Sequence, residues 1–126
     1  MNKNQVLVAG AVLGLLAVAL GAFGAHALKP YLVETGRLDT FETAVKYQFY
    51  HALALLFLSI FMKSENHRFL KSAALLFLSG VIIFSGSLYI LCLTNTGIWG
   101  AITPIGGVLM IAGWGFLIYF GIKKAG

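Results

Sequence analysis

Four long apolar runs, each free of formal charge, constrain this chain more than any other feature. They extend from Val6 to Ala27, from Tyr47 to Met62, from Ser72 to about Leu93 and from about Ile98 to Ile122. A helix needs about 20 predominantly apolar residues to cross the hydrocarbon of a bilayer, and three of the runs reach that length unaided. The second is short, but Asp39 and Glu42 have the spacing of an N-cap and a residue that reaches back to it, so its helix is predicted to begin earlier. The predicted fold is therefore all-α: an integral membrane four-helix bundle, one domain over residues 1–126, with spans at about 6–27, 43–62, 72–93 and 98–122. Only 10% of the residues are charged, against about 25% in a soluble domain.

Two features of the ends need a separate reading. Lys3, the apolar stretch after it and the small-residue pattern Ala25-His26-Ala27 have the form of a secretory signal with its cleavage site. The stretch is longer than a signal core and three further spans follow, so it is expected to be a membrane span. Between the first two spans, Lys29 to Asp39 holds Pro30, Gly36 and mixed charges beside Tyr31, Leu32, Val33 and Leu38. That mixture predicts a short segment lying at the membrane interface.

The net charge of +5 does not imply nucleic acid, because the nine Lys and Arg residues stand at the ends of apolar runs. Such residues set topology, with the richer side facing the cytoplasm. Lys3, Lys63, Arg68, Lys71, Lys123 and Lys124 fall on one side, and Lys29, Arg37 and Lys46 on the other. A multi-pass cell-membrane protein with both termini cytoplasmic is expected. The uncharged turn from Thr94 to Gly100, with Trp99, suits the outer face.

Helices in lipid associate through close packing of small residues. Gly10, Gly14, Ala17, Gly21 and Gly24 step by four, three, four and three along the first span, one stripe at the coiled-coil period. That stripe is predicted to face another helix, with the first span central. Ser72, Ser79 and Gly86 in the third span, and Gly106 and Gly113 in the fourth, offer smaller seams. Pro104 is harmless if its helix starts near Thr103, since the first turn lacks donor partners anyway.

At Gly21-Ala22-Phe23-Gly24-Ala25-His26-Ala27-Leu28-Lys29 and Thr43-Ala44-Val45-Lys46-Tyr47-Gln48-Phe49-Tyr50-His51-Ala52, the chain resembles the domain of unknown function 423 family of small membrane proteins. The resemblance extends over nearly the whole length. It implies a membrane protein widespread in bacteria, with mitochondrial relatives in eukaryotes, and it supplies no activity, substrate or catalytic residue.

Among residues able to carry chemistry, His51 stands out, because about 11 residues at 1.5 Å each separate it from Met62, near mid-bilayer. An ionisable side chain there faces the bundle interior, and a charge would be costly. His51 is therefore expected to be buried, neutral at pH 7 and bonded to a neighbouring helix, through Tyr47 or a serine of the third span. Tyr47, Gln48, Tyr50 and His51 form a polar and aromatic group, and Tyr47 shares a helix face with His51. Such a group suits a lipid headgroup, a quinone ring or the ordinary interfacial role of aromatic residues. His26 belongs near the end of the first span, roughly 10 Å away in depth, which argues against a shared haem iron. His67 falls in the charged loop. The lone Cys92 has no disulfide or metal partner and reads as a small buried apolar residue. Glu34, Arg37, Asp39, Glu42 and Lys46 read as a solvated, mutually paired face.

No phosphate loop, paired-cysteine motif, nucleophile elbow or His-Glu-x-x-His is present in the sequence. Neither a catalytic residue, a metal site nor a cofactor is predicted. The expected function is non-enzymatic: assembly through helix packing, as a homo-oligomer or as an accessory subunit of a membrane-protein partner within the lipid bilayer. The alternative is a carrier of a small ligand or proton, with His51 as its titrating group.

Overall fold

A computed structural model describes residues 1–64 and 68–125, excluding the side chains of Lys63, Ser64, Lys124 and Ala125. His67 lies outside the described residues. Four long helices, α1 (Lys3–Ala25), α3 (Leu38–Ser64), α4 (Arg68–Thr94) and α5 (Thr103–Ala125), are joined by the short helix α2 (Lys29–Glu34) and a 3-10 turn (Gly97–Ala101). All four are long and apolar enough to cross a membrane, the last counted together with its 3-10 turn. They exceed the apolar runs at most ends, because a helix continues for a turn or more beyond the hydrocarbon.

The helix starts have local causes. Asn2 caps α1 in a reciprocal box: its side chain accepts from Gln5 N at 2.9 Å while its own N–H donates to Gln5 Oε1 at 3.0 Å. The proposed Asp39 cap is incorrect. Gly36 adopts a positive φ of 71° that turns the chain, Arg37 N–H bonds back to Leu32 O at 2.8 Å, and α3 begins at Leu38. Asp39 thus sits inside the first turn, favourably placed against the positive end of the helix dipole. Thr103 opens α5, which leaves Pro104 in the first turn.

The contacts run antiparallel in chain order. Gly10 meets Ala52 while Gly24 meets Phe41; Ser85 bonds to Ala44 while Phe77 lies against His51; Gly106 meets Phe84 while Gly113 meets Phe77. The start of α1, the end of α3, the start of α4 and the end of α5 therefore share one end, called here the terminal end. The connector end carries α2 and the 3-10 turn.

The expected central position of the first span is incorrect. α1 packs along α3, α3 on α4 and α4 on α5. Only 17% of the α1 span and of the last span is buried, against 39% for α3 and 44% for α4, so the middle pair forms the centre. Glycine content gives α1 one close neighbour and leaves its other face bare. Within the third-span seam of Ser72, Ser79 and Gly86, Gly86 has nothing within 4 Å of where a side chain would begin, and Ser79 bonds to Leu75 O of its own helix. Gly80 is the close point instead, packed on Met110 and the Gly106 carbonyl.

The segment between the first two spans closes the connector end. Leu32 is fully buried against Phe41 and Cys92, and Tyr31 Oη donates to Leu93 O at 3.3 Å. Arg37 pairs with no carboxylate of the expected charged face; its Nε donates to Asn95 Oδ1 at 3.1 Å. Asn95 itself takes a positive φ of 51° as α4 ends, a conformation that asparagine tolerates.

Candidate functional site: a buried polar network at mid-bundle

His51 is the central residue of α3, and Trp114 is the central residue of α5. His51 is 5% exposed, and both ring nitrogens are engaged. Nδ1 lies 2.8 Å from the Tyr47 carbonyl, one helical turn back, and Trp114 Nε1–H donates to Nε2 at 3.1 Å. These partners assign the protonation state. An indole N–H can only donate and a carbonyl can only accept. Nε2 must therefore carry a lone pair and Nδ1 a proton, which defines a neutral imidazole in a single tautomer. Edge-to-face contacts with Phe77 (5.3 Å between centroids) and Trp114 (5.8 Å) enclose the ring.

Gln48 lies one turn nearer the connectors and is 3% exposed. Its Nε2 donates to Leu13 O in the middle of α1 at 2.9 Å, and its Oε1 accepts from Tyr89 Oη of α4 at 2.6 Å. One amide thus links three helices. Ser85 Oγ donates to Ala44 O at 2.7 Å, and Ser87 and Thr103 share a hydroxyl contact of 2.6 Å between α4 and α5. Among the described residues, no buried side-chain nitrogen or oxygen lacks a partner. In lipid each unpaired group would be costly, so the network is complete as a structural unit.

The residues singled out by sequence are distributed unequally. Tyr47 reaches His51 through its backbone carbonyl, and its ring packs on Phe84 (4.9 Å), Tyr50 (5.9 Å) and the His51 ring itself (6.4 Å). The neighbouring-helix partner of His51 is Trp114, not a serine of the third span. His26 is exposed at the C-cap of α1, apart from His51 and its partners. The stripe residues lie along α3: Gly10 against Ala52 O and Leu55, Gly14 near Ala52 Cβ, Gly21 near Val45 and Gly24 against the Phe41 ring, with Ala17 buried between them. Gly10 and Gly24 are the tight points, where even a methyl group would press on its neighbours. Cys92 is buried, with Sγ 3.7 Å from Arg37 O. Trp114 and Tyr89 were not singled out in the sequence, and Thr103 was read only as a helix start. Trp114 carried a usable signal, an indole N–H at the centre of a span that needs an acceptor when buried.

The match to a family model described as a protein of unknown function (DUF423) covers residues 20–107, from the last turns of α1 to the start of α5. The chain belongs to the DUF423 family. Relatives in this family match over almost their whole lengths. A UPF0382 membrane protein of Staphylococcus haemolyticus is 45% identical over 95% of this chain and 97% of its own. The UPF0382 membrane protein YwdK of Bacillus subtilis is 41% identical over 93% of this chain and 95% of its own. The UPF0382 inner membrane protein YgdD of Escherichia coli is 36% identical over 98% and 93%. No solved structure matches. With four apolar helices and relatives named as membrane proteins, this DUF423 chain is a membrane protein.

Proposed function

We propose that the protein is non-enzymatic and acts by assembly, as a homo-oligomer or as an accessory subunit beside a membrane-protein partner. The observation that carries this reading is the closed interior. Its polar side chains are spent on one another and on helix carbonyls, and His51 holds two partners that both require the neutral ring. A proton carrier would need a titrating group with a free nitrogen or a water route. By contrast, the outward faces of α1 and α5 are broad and apolar, with Val8, Leu15, Val108 and Ile111 more than half exposed. In mild detergent, native mass spectrometry is expected to find an oligomer or a co-purifying membrane protein; a lone monomer with no companion overturns the proposal.

The same reading places the protein in the cell membrane with both termini cytoplasmic, supported by six Lys and Arg residues at the terminal end against three at the other. Single cysteines at Asn2, Asn66, Asn95 and Gly126, introduced after Cys92 is replaced, test it with an impermeant thiol reagent. Only the Asn95 position should label from outside, and labelling at Asn66 overturns the orientation.

A further inference from the structure

One stripe of α5 changes character along its length. Ala112, Gly115, Phe116, Tyr119 and Lys123 step by three, one, three and four, so they share a face that runs from small residues at mid-helix to aromatic rings and then to a cation. From Ala112 to Lys123 the stripe covers about 11 residues, or roughly 16 Å. That is one leaflet's share of a hydrocarbon core about 30 Å thick.

α4 begins beside the aromatic part of the stripe. Phe69 packs on Tyr119 at 4.9 Å and on Phe116 at 5.8 Å between centroids. These three rings, with Ala112 and Gly115, line a shallow groove of about 380 Å³ between α4 and α5. Gly115 is exposed and has nothing within 4 Å of where a side chain would begin, so the groove is open on its outer side.

Two cations stand on the rings of this same groove. Arg68, the first residue of α4, has Cζ 5.3 Å from the Phe69 centroid, and Lys123 has Nζ 6.0 Å from the Tyr119 centroid. One comes from each helix, and both are exposed at the terminal end. The described acidic residues Glu34, Asp39 and Glu42 all belong to the connector end, and Glu65 lies outside the described residues. No described carboxylate therefore stands at the terminal end with these two cations.

Length and charge together select an occupant. A spanning helix of another protein would continue past mid-membrane, whereas the stripe returns to a bulky residue at Val108. The acyl chain of a phospholipid ends near that level. A phosphate at the other end meets an arginine and a lysine, the side chains suited to it.

We propose that the α4–α5 groove binds one anionic phospholipid of the leaflet at the terminal end, an acyl chain along Ala112, Gly115 and Phe116 and the headgroup phosphate between Arg68 and Lys123. Cations at a membrane surface attract anionic lipids in general, and a chain seated on Gly115 turns that attraction into a site of defined stoichiometry. The site goes beyond the assembly reading and holds for a monomer or for each copy in an oligomer.

Native mass spectrometry of the protein in mild detergent, titrated with phosphatidylglycerol or with phosphatidylcholine of the same acyl chains, reads the site directly. The first phosphatidylglycerol should bind more tightly than phosphatidylcholine by about fivefold for each cation, roughly 25-fold together. Arg68→Gln and Lys123→Gln should each remove about fivefold of that preference. Lys3→Gln, at the same end but on α1, should leave it unchanged. Gly115→Leu should abolish the tight first site, because the space around Gly115 admits a side chain without displacing a helix. Thermal unfolding in detergent checks that this variant is folded; if it is not, the Arg68, Lys123 and Lys3 variants decide the claim. Equal binding of the two lipids overturns the proposal. So does a preference that survives in folded Gly115→Leu, or one that falls as much with Lys3→Gln as with Arg68→Gln, since either means diffuse attraction to the basic end. A co-purifying protein released by Gly115→Leu overturns it as well, because a partner chain would then occupy the groove.

Discussion

On the connector side of His51 and Trp114, side chains bond across helices: Gln48 to Leu13 and Tyr89, Ser85 to Ala44, Ser87 to Thr103. On the terminal side the core is Val6, Leu55, Leu58, Met62, Leu70, Ala73, Ala74 and Phe77, and the buried Ser59 bonds only within its own helix, to Leu56 O. Lipid tails are as apolar as leucine, so apolar contact between helices carries little preference over contact with lipid. The stitched half therefore fixes which helix lies beside which. The apolar half packs where shapes allow and opens a groove where they do not.

Substitutions at matched positions can break that comparison, beginning with the largest effect. Gly106 lies against the backbone of Phe84 and the Gly80 carbonyl, so a side chain there must move a helix rather than a rotamer. Gly106→Leu should cost about 3 kcal/mol or prevent folding, read from thermal unfolding in detergent. Gly86→Ala, with nothing within 4 Å, should stay within about 0.5 kcal/mol of the parent.

Gln48→Leu comes next. It cuts the links to α1 and α4 and leaves the Tyr89 hydroxyl without its acceptor, for an expected loss of about 1–2 kcal/mol. Ser59→Ala in the other half loses only a bond within its own helix and should cost no more than a few tenths of a kcal/mol. Equal losses would show that the two halves do not differ in what holds them.

A smaller effect is expected at the boundary. His51→Leu should lose about 1 kcal/mol, while His51→Gln or His51→Asn should retain much of the stability, because an amide offers both a donor and an acceptor. A double-mutant cycle with Trp114→Phe should yield a coupling of about 0.6 kcal/mol. Zero coupling would mean that the bridge contributes no net stability. Within the stripe, Gly10→Ala should destabilise more than Gly14→Ala, since only the first meets a carbonyl and two leucine side chains closely; the reverse order would place the α1 contact elsewhere.

The spans were legible because hydrocarbon thickness imposes a length on apolar runs, and counting residues to the end of its run singled out His51, which lies buried at the middle of α3. A short separate segment between the first two spans was legible from Pro30 and its mixed composition, although the burial of its Leu32 depends on Phe41 and Cys92 arriving from other elements. The stripe on α1 could be seen, but periodicity reports that a face is narrow, not how many helices lie on it, and so misplaced α1 at the centre. Asp39 failed as a cap because the turn at Gly36 sets where α3 begins. The pairings of Trp114 and Tyr89 were hidden for a related reason: their partners stand 63 and 41 residues away in the chain, and no local pattern announces which residue will meet which.

The His51 bridge also keys the sliding position of one helix against another. Imidazole presents a lone pair at only one atom here, and the indole N–H must arrive there. Trp114 is flanked by Gly113 and Gly115, neither of which has a side-chain donor. A slip of α5 by one residue in either direction would bring glycine opposite His51, and a full turn would displace the indole by about 5.4 Å. A ring flip would put carbon where nitrogen is required. For two helices that touch so little elsewhere, this single donor and single acceptor act as a notch and tooth, accepting one alignment and rejecting its nearest neighbours.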